Sequence, residues 1–400
     1  MKTISKTMSE SSTTTGAASG PAAIEFTDAQ RRSFRAGLLS WYRRHRRELP
    51  WRGVEDPYAV WVSEVMLQQT QVATVIDYYR RWLERFPSVE DLAQAEVDDV
   101  LEMWAGLGYY RRARFLYESA QMIVDELGGE LPKTARDLQK LKGVGPYTAG
   151  AVASIAFGER TPVVDGNVER VLSRLCAISG DPKSTPNQKL YWRLAGELVD
   201  PEAPGDFNQA MMELGATVCT PQNPTCMLCP LREYCEGFAS GEPSAYPDTA
   251  RRARQRAMTV HTAVIVRRGV DESAFLMVKR PSDGLLAGLW EFPTVEADDA
   301  GAADDPLDAY LSDDLGARAA CDAEPVELGE FVHHFSHIRM TIHAQVREVG
   351  ADDAERGLEH SLDRPVEWVG RAGLDELAMS AAMQKVLLLF DERPLDRGPR

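Results

Sequence analysis

The sequence predicts two domains of different class, a mainly α domain followed by an α+β domain. Its 400 residues exceed what one hydrophobic core usually organises. Between residues 25 and 240, apolar side chains recur every three to four positions and are separated by short Gly or Pro breaks. The alternation that is typical of strands begins only at about residue 260. We therefore expect a helical domain over residues 25–240 and an α+β domain over residues 259–394.

Within these domains, periodicity locates the main elements. It predicts helices over Phe34–Arg43, Ala59–Gln71, Val97–Ala105, Arg112–Leu127 and Ala149–Phe157. In the second domain it predicts a hairpin of Val260–Val266 with Ala274–Val278, a half-buried strand over Ile338–Val346 and a closing amphipathic helix over Leu374–Phe390.

Three segments carry too little apolar content to pack. Residues 1–24 are rich in Ser, Thr, Gly and Ala without the apolar centre of a signal peptide, so we expect a disordered tail. Residues 241–258 combine Gly, Pro and a run of arginines, which is typical of an exposed linker. Residues 395–400 form a second tail.

Composition and charge narrow the class of protein. With 44% hydrophobic and 26% charged residues, the chain has the balance of a globular protein, and no run of 18 apolar residues predicts a membrane span. The net charge of −16 opposes binding to a polyanion, but residues 31–52 contain eight arginines against one acid. Arg111, Arg112 and Arg114 form a second basic cluster. Local charge therefore permits contact with phosphates, and we interpret the acidic surplus as a salt-adapted surface.

Four of the six cysteines lie within 17 positions with the spacing C-x6-C-x2-C-x5-C. They are Cys219, Cys226, Cys229 and Cys235. This grouping predicts a metal site in a reducing compartment. Six cysteines in a chain of this length do not suggest a secreted disulfide scaffold. Spacing alone is compatible with a [4Fe–4S] cluster and with a structural zinc ion. Cys176 and Cys321 stand apart, as ordinary buried thiols do.

A glycine-rich turn occurs at Leu141-Lys142-Gly143-Val144-Gly145-Pro146. We expect a helix over Asp137–Leu141 to end before it, and Pro146 suits the first turn of the next helix. Gly143 and Gly145 would let backbone N–H groups approach a phosphate closely. The pattern favours a helix-hairpin-helix that binds DNA without regard to sequence; the alternative is a simple αα-corner.

Two carboxylates are candidates for catalysis. On a helix, Glu64 would have Val60, Trp61 and Leu67 as neighbours, and such an apolar setting raises the pKa of an acid towards neutral pH. Asp165 lies where a helix begins. The structural alternatives are a buried ion pair for Glu64 and a helix N-cap for Asp165.

Taken together, these segments resemble the endonuclease III superfamily of DNA glycosylases over roughly residues 30–240. Within it they are most similar to MutY-type adenine DNA glycosylases. The similarity lies in Leu49–Arg52, Ser63–Val72, Gly106–Tyr110 and Phe207–Met212. The resemblance implies a partner of double-stranded DNA containing adenine opposite 8-oxoguanine or guanine. It also implies that the four cysteines hold a [4Fe–4S] cluster.

The resemblance also implies roles for single residues. Glu64 would protonate the adenine and Asp165 would stabilise the sugar cation, with Tyr147 and Asn167 positioning the two carboxylates. Bifunctional superfamily members have a lysine where this chain has Tyr147, so little or no AP-lyase activity is expected.

Four more residues would contact the DNA by the same resemblance. The target base must be flipped out of the stack, and a side chain fills the gap. Gln69 and Tyr109 would lie at the mismatch, while Trp51 and Arg52 would line the adenine pocket. For Trp51, packing in the core is the alternative.

The second domain resembles the Nudix fold at Gly288–Pro293. A working Nudix hydrolase needs a downstream R-E-x-x-E-E stretch, which residues 294–314 lack. MutY-type enzymes use this domain to recognise 8-oxoguanine, and Phe335, Ser336 and His337 match their recognition segment. A metal site at His333, His334 and His337 is a weaker alternative.

Competing functions are a bifunctional glycosylase/lyase, a DNA-binding module with a dead active site and a nucleotide pyrophosphohydrolase. Tyr147 opposes the first, the intact carboxylates oppose the second and the absent metal-binding stretch opposes the third. We further expect a monomer in the cytoplasm, associated with the nucleoid, whose protein partners the sequence does not identify.

Overall fold

The computed structural model describes residues 25–248, 255–268, 273–297, 306–317, 320, 322–335, 337–350 and 362–393. The tails over 1–24 and 395–400, part of the linker, Cys321 and Ser336 lie outside the described residues. The helices are, in chain order, α1 (Asp28–His45), α2 (Pro57–Met66), α3 (Val72–Arg85), α4 (Val89–Ala93), α5 (Val97–Met103), α6 (Arg111–Leu127), α7 (Ala135–Leu138), α8 (Pro146–Phe157), α9 (Gly166–Leu175), α10 (Thr185–Leu198), α11 (Pro204–Thr217), α12 (Glu236–Ala239), α13 (Pro306–Ala309) and α14 (Ala381–Glu392). None of the described helices combines the length and apolar character that crossing a membrane requires.

The chain divides into two compact units. The first comprises Met1–Gln94 and Glu118–Arg251, and the second comprises Ala95–Tyr117 and Arg252–Arg400. The boundary at residue 251 falls inside the segment that we predicted as a linker. We expected residues 95–117 in the helical domain, but they group with the second unit, to which Tyr110 and Asp98 bond through Met379 and Lys279.

The first unit is built from helices around an apolar core. Helices α1, α9, α10 and α11 supply most of it, with Phe34, Leu172, Tyr191 and Phe207 among its members. Helix α8 packs against both α2 and α11. This arrangement brings the helices that carry the predicted catalytic residues together.

The second unit contains a mixed sheet. Its strands are β1 (Arg256–Arg268), β2 (Ser273–Lys279), β3 (Trp290–Glu291), β4 (Thr294–Glu296), β5 (Val326–His334), β6 (Ile338–Val349) and β7 (Val366–Gly370). Among the described residues, the order is β3-β2-β1-β6-β5, with β4 also on β1 and β7 also on β2. The β1–β6 pair is parallel, and the other pairs are antiparallel. Alternate residues of β1 face separate cores, Val264 towards α14 and Ile265 towards α13.

Several predicted element boundaries were wrong. The helix predicted to reach Gln71 ends at Met66, because the chain turns over residues 67–70 and Gln69 adopts a φ of 57°. The helix predicted over Asp137–Leu141 is the shorter α7. The closing helix begins at Ala381 rather than Leu374, because the Ser380 side chain accepts a hydrogen bond from the Met383 N–H and caps it. Strand β1 begins at Arg256, inside the predicted linker. The hairpin of β1 with β2 and the strand β6 are confirmed.

Candidate active site

The predicted acid, Glu64, lies near the end of α2 and is only 5% exposed. Its Oε2 accepts a hydrogen bond of 2.7 Å from the Tyr147 hydroxyl. Burial raises the pKa of Glu64, while the Tyr147 hydrogen bond and the charge of Arg52 oppose that rise. No ion pair to Glu64 is among the salt bridges of the described residues. Glu64 is therefore a buried acid with a neutral donor.

Tyr147 comes second in α8, directly after the glycine-rich turn. Pro146 takes the first position of that helix, as predicted, and directs the next side chain towards α2. The Tyr147 hydroxyl also lies 3.5 Å from the Met212 sulfur on α11. Burial, together with the charges of Glu64 and Asp165, raises the pKa of Tyr147 well above its usual range. The phenol thus stays protonated and donates to Glu64.

Asp165 is the N-cap of α9. The structural role that the sequence analysis gave as its alternative is therefore present, whether or not Asp165 also takes part in catalysis. Its Oδ1 accepts from the Val168 N–H at 2.7 Å, and its Oδ2 accepts from Asn167 Nδ2 at 2.8 Å. Burial raises the pKa of Asp165, but these donors oppose the rise because they favour the ionised form. The charge of Asp165 in turn raises the pKa of Glu64, which places both carboxylates in one electrostatic site.

Arg170 supports Asp165 through Asn167, a role that our sequence analysis missed. Its Nη2 donates to Asn167 Oδ1 at 2.7 Å and to the Gly215 carbonyl at 2.8 Å, and its Nε donates to the Cys219 carbonyl at 2.7 Å. The signal in the sequence is an arginine one helical turn after Asn167. A polar chain thereby joins Asp165 to the first of the four clustered cysteines.

The four cysteines occupy the loop that follows α11. Cys219, Cys229 and Cys235 pack against the core of the first unit. Burial raises the pKa of Cys229 to about 12 and of Cys235 to about 11, and the neighbouring cysteines contribute to both rises. The four thiols therefore lie close enough to interact. Among the described residues, no three His, Cys, Asp or Glu side chains are grouped as the ligands of one metal ion.

A second missed residue, Arg174, holds the cysteine loop in place. It is 3% exposed, and its Nη1 lies 3.3 Å from Cys219 Sγ and donates to the Thr220 carbonyl at 2.7 Å. Its own carbonyl lies 3.3 Å from Cys235 Sγ. A guanidinium at this place is suited to offset the negative charge of thiolates.

The predicted pocket residues Trp51 and Arg52 are both anchored. Trp51 is 5% exposed and packs edge-on against Tyr79, with ring centroids 5.5 Å apart, which is the core packing considered as its alternative. Arg52 donates to Glu213 at 3.1 Å and to Gln209. Burial acts to raise the pKa of Glu213, but hydrogen bonds from Arg47 prevail and lower it. Arg52, whose charge acts on Glu64, is thus held by a buried carboxylate.

The other predicted DNA-contacting residues of the first unit, Gln69, Gly143 and Gly145, are exposed. Gln69 lies in the turn after α2, and the preceding Gln68 donates to the Thr148 hydroxyl at 2.9 Å, which ties that turn to α8. Gly143 has a φ of 72° and is exposed, as is Gly145, the N-cap of α8. The hairpin thus presents its backbone to solvent beside Tyr147.

The predicted recognition loop lies between β5 and β6 in the second unit. Phe335 is partly buried against the sheet core, His337 is exposed, and Ser336 lies outside the described residues. The His333 ring packs edge-on against Phe335 at 4.7 Å, and Gln255 donates to the Phe335 carbonyl at 2.6 Å. Tyr109, the other predicted contact, is 43% exposed in this unit.

A helix-hairpin-helix placed beside a buried acid and an N-capping aspartate defines a class, that of base-excision DNA glycosylases. Consistent with this, residues 62–196 match the HhH-GPD superfamily of base excision DNA repair proteins, and residues 262–389 match the NUDIX domain. A trapped endonuclease III–DNA covalent intermediate is 25% identical, covering 54% of this chain and 99% of its own, with a TM-score of 0.46.

Relatives across most of the chain identify the family. The adenine DNA glycosylases of Arabidopsis thaliana and Homo sapiens are 41% and 42% identical to it, each over 90% of this chain. The matches span 65% of the Arabidopsis protein and 74% of the human one. This chain belongs to the adenine DNA glycosylase family. The predicted MutY-type resemblance and the two-domain fold class are thereby confirmed.

Proposed function

We propose that this chain is a monofunctional glycosylase that removes adenine mispaired with 8-oxoguanine or guanine in double-stranded DNA. One observation carries the proposal: a buried carboxylate, Glu64, and a partly buried one, Asp165, share a site, and their hydrogen bonds differ in kind. Glu64 has a neutral phenol donor, whereas both oxygens of Asp165 are bound by amide donors. Such a pair divides into a proton donor and an anion.

The chemistry follows from these environments. Adenine leaves readily only when a ring nitrogen is protonated, and protonated Glu64 supplies that proton as the bond from the base to C1′ breaks. The sugar then carries positive charge, which ionised Asp165 stabilises from close range. Water completes the hydrolysis at C1′, and its proton is available to return to Glu64. Tyr147 and Asn167 hold the two carboxylates in orientation.

The absence of a lyase step rests on Tyr147. A phenol cannot form a Schiff base with the sugar, and its raised pKa keeps it neutral. We expect borohydride to trap no covalent adduct between this protein and a duplex with an A:8-oxoguanine pair. A trapped adduct would contradict the monofunctional assignment while leaving the glycosylase assignment intact.

Recognition of the mispair is assigned to residues of both units. Gln69 and Tyr109 adopt left-handed backbone conformations, with φ of 57° and 51°, on exposed turns. Side chains that project from such exposed turns are suited to entering the gap that a flipped base leaves. We assign reading of the opposite base to Phe335, Ser336 and His337, and phosphate contact to Gly143 and Gly145.

For the cysteine loop we propose a [4Fe–4S] cluster held by Cys219, Cys226, Cys229 and Cys235. Each thiolate of such a cluster binds a different iron, so the four sulfurs need not converge on one point. The cluster would fix the loop that presents Cys219 to Arg170. Iron and zinc analysis of the purified protein tests this. Cys226→Ala should lose iron, while Cys176→Ala, which alters a buried thiol outside the loop, should retain it; zinc without iron would refute the cluster.

The decisive experiment uses a duplex with one adenine opposite 8-oxoguanine, with half of each sample treated with alkali. Strand breaks only after alkali report base release without lyase chemistry. Glu64→Gln and Asp165→Asn should each abolish the breaks. Glu169→Gln is the matched control, because Glu169 is also a buried glutamate of the first unit, 6% exposed and paired with Lys183. Tight binding without breaks in the unaltered protein would leave a recognition protein and refute catalysis.

A further inference from the structure

Residues 95–117 belong to the same unit as the Nudix-like sheet, although almost 140 positions separate them from the start of that sheet. This segment carries Tyr109, which we assign to the gap in the DNA. Tyr109 lies in a loop whose backbone is left-handed at Gly106, Gly108 and Tyr109 itself. The loop is held from behind by Arg112, which donates to the carbonyls of Leu107 and Gly108 at 3.2 and 3.0 Å.

The hydroxyl of Tyr110 attaches this loop to the C-terminal part of the unit. It accepts a hydrogen bond of 3.1 Å from the Gly106 N–H and donates one of 3.3 Å to the Met379 carbonyl. Tyr110 is only 5% exposed; its bond to Met379 is buried, and its bond from Gly106 is partly buried. One hydroxyl therefore closes the Tyr109 loop and ties it to the residue that precedes the N-cap of α14.

Met379 is itself fixed to the sheet. It forms a parallel bridge with Trp290, whose N–H donates to the Ala378 carbonyl at 2.9 Å. Met379 and Trp290 belong to the core on one face of the sheet, and Phe335 of the recognition loop packs against that same core. The anchor of the Tyr109 loop and the recognition loop thus share one packed support.

A second attachment is an ion pair. Lys279 Nζ lies 2.7 Å from both carboxylate oxygens of Asp98 in α5, and its side chain is 19% exposed. The same ammonium lies 5.5 Å from the centroid of the Trp290 ring. In the same unit, the Arg114 guanidinium fills the place that a Cβ at Gly288 would take. The Gly-Leu-Trp-Glu stretch that resembles a Nudix motif therefore serves here as a docking surface for residues 95–117.

We propose that Tyr110 and Lys279 are positioning residues that fix Tyr109 on the Nudix-like unit, so that insertion of Tyr109 and reading of the opposite base are coupled. The proposal deepens the proposed function and rests on its assignment of Tyr109 and the recognition loop. When a mispair binds the recognition loop, it stabilises one arrangement of the sheet core against which that loop packs. The Tyr109 loop is attached to the same core, so this arrangement also favours the position of Tyr109 that enters the DNA. Binding at one site thereby changes the free energy of binding at the other.

The test is Tyr110→Phe, which removes one oxygen atom. The matched control is Tyr58→Phe, since the buried Tyr58 hydroxyl likewise donates to a carbonyl, that of Phe86 at 3.0 Å, and accepts from Trp82 Nε1 at 3.1 Å. Three quantities are measured for each protein: the melting temperature, the single-turnover rates on A:8-oxoguanine and A:G duplexes, and the fluorescence of a 2-aminopurine placed beside the mispair. The fluorescence rises when Tyr109 unstacks that base.

Both variants should lose similar thermal stability. Only Tyr110→Phe should lower the ratio of the A:8-oxoguanine rate to the A:G rate, by roughly fivefold if one hydrogen bond carries the coupling, and weaken the fluorescence rise. An unchanged ratio and an unchanged rise would overturn the proposal. If the unaltered protein releases no adenine, the proposed function fails. In that case the fluorescence alone decides the inference, because it requires binding and no catalysis.

Charge reversal tests the ion pair independently. Lys279→Glu should lower the same ratio and Asp98→Lys should restore it in the double variant. The control pair is Arg268 with Glu348, which is also held by two contacts of 2.7 Å in this unit. Reversing Arg268 should leave the ratio unchanged. A normal ratio in Lys279→Glu, or a loss that the double variant does not recover, would remove Lys279 from the proposal.

Discussion

The Tyr147 hydroxyl donates a hydrogen bond of 2.7 Å to Glu64 Oε2, although the two residues lie 83 positions apart. This bond is one of the interactions that act on the pKa of Glu64. Burial raises the pKa of Glu64, and the hydrogen bond opposes that rise because it favours the ionised form.

We therefore expect Tyr147→Phe to raise the pKa of Glu64 further. With Glu64 as the proposed acid, the rate falls at high pH when Glu64 loses its proton, so this alkaline limb should move to higher pH in the variant. Single-turnover rates across pH measure the shift. Tyr191→Phe, which removes a buried hydroxyl bound to Ser173, is the control. A limb that stays in place or moves to lower pH would contradict the assignment of Glu64 as the acid.

The acid limb should respond to Asn167 instead. Burial raises the pKa of Asp165 and the Asn167 amide opposes that rise, so Asn167→Ala should raise this pKa further. Because the proposed role of Asp165 requires its ionised form, activity should then begin to fall at a higher pH as the solution is acidified. Asn187→Ala removes an amide that binds the carbonyls of Ser179 and Asp181 and should leave both limbs unchanged. If Asn167→Ala moved only the alkaline limb, the two carboxylate roles would have to be exchanged.

Glu64 should lower the stability of the folded protein at neutral pH. Its pKa is higher in the folded state than the unfolded value of about 4.3, so the folded state binds the proton more tightly. The stability that this proton provides is complete below the unfolded pKa and is lost as pH rises through the folded pKa. Glu64→Gln should thus raise the melting temperature by roughly a few degrees at neutral pH. The gain should disappear in acid, and a gain of equal size at all pH values would exclude a raised pKa as its cause.

Close packing behind Asn167 should be essential to the site. A Cβ at Gly215 would lie 2.5 Å from the Asn167 Cβ, closer than real Cβ contacts, and 3.0 Å from its Cα, which is also tight. Gly215→Ala should displace Asn167, destabilise the fold by about 1–3 kcal/mol and reduce adenine release about tenfold or more. Gly166→Ala is the control, because a Cβ there meets nothing within 4 Å. Thermal unfolding and single-turnover rates measure both effects; normal activity in Gly215→Ala would show that Asn167 does not need its position.

Much of the site could be predicted from local pattern. The apolar neighbours of Glu64 on its own helix predicted its burial, and the position of Asp165 before a helix predicted its N-cap geometry. Both features depend on residues within four positions of the side chain concerned. The end of α2 at Met66 was not predicted, because it depends in part on a contact outside that helix. Polar residues after Leu67 do not by themselves terminate a helix, and the left-handed turn at Gln69 is held in part by the bond from Gln68 to Thr148 on α8.

The sequence by itself determined the motifs on which the proposed chemistry rests: a helix-hairpin-helix, two carboxylates, four cysteines and a Nudix-like sheet. Only the tertiary structure decided which residues hold the functional side chains in place. Arg170 reaches Asn167 and the cysteine loop at once, and Tyr110 bonds to Met379 across 269 positions. The physical reason is that the spacing of apolar residues along a helix or strand shows which of its faces is buried. Hydrogen bonds between elements depend on how those buried faces pack, which no local pattern contains.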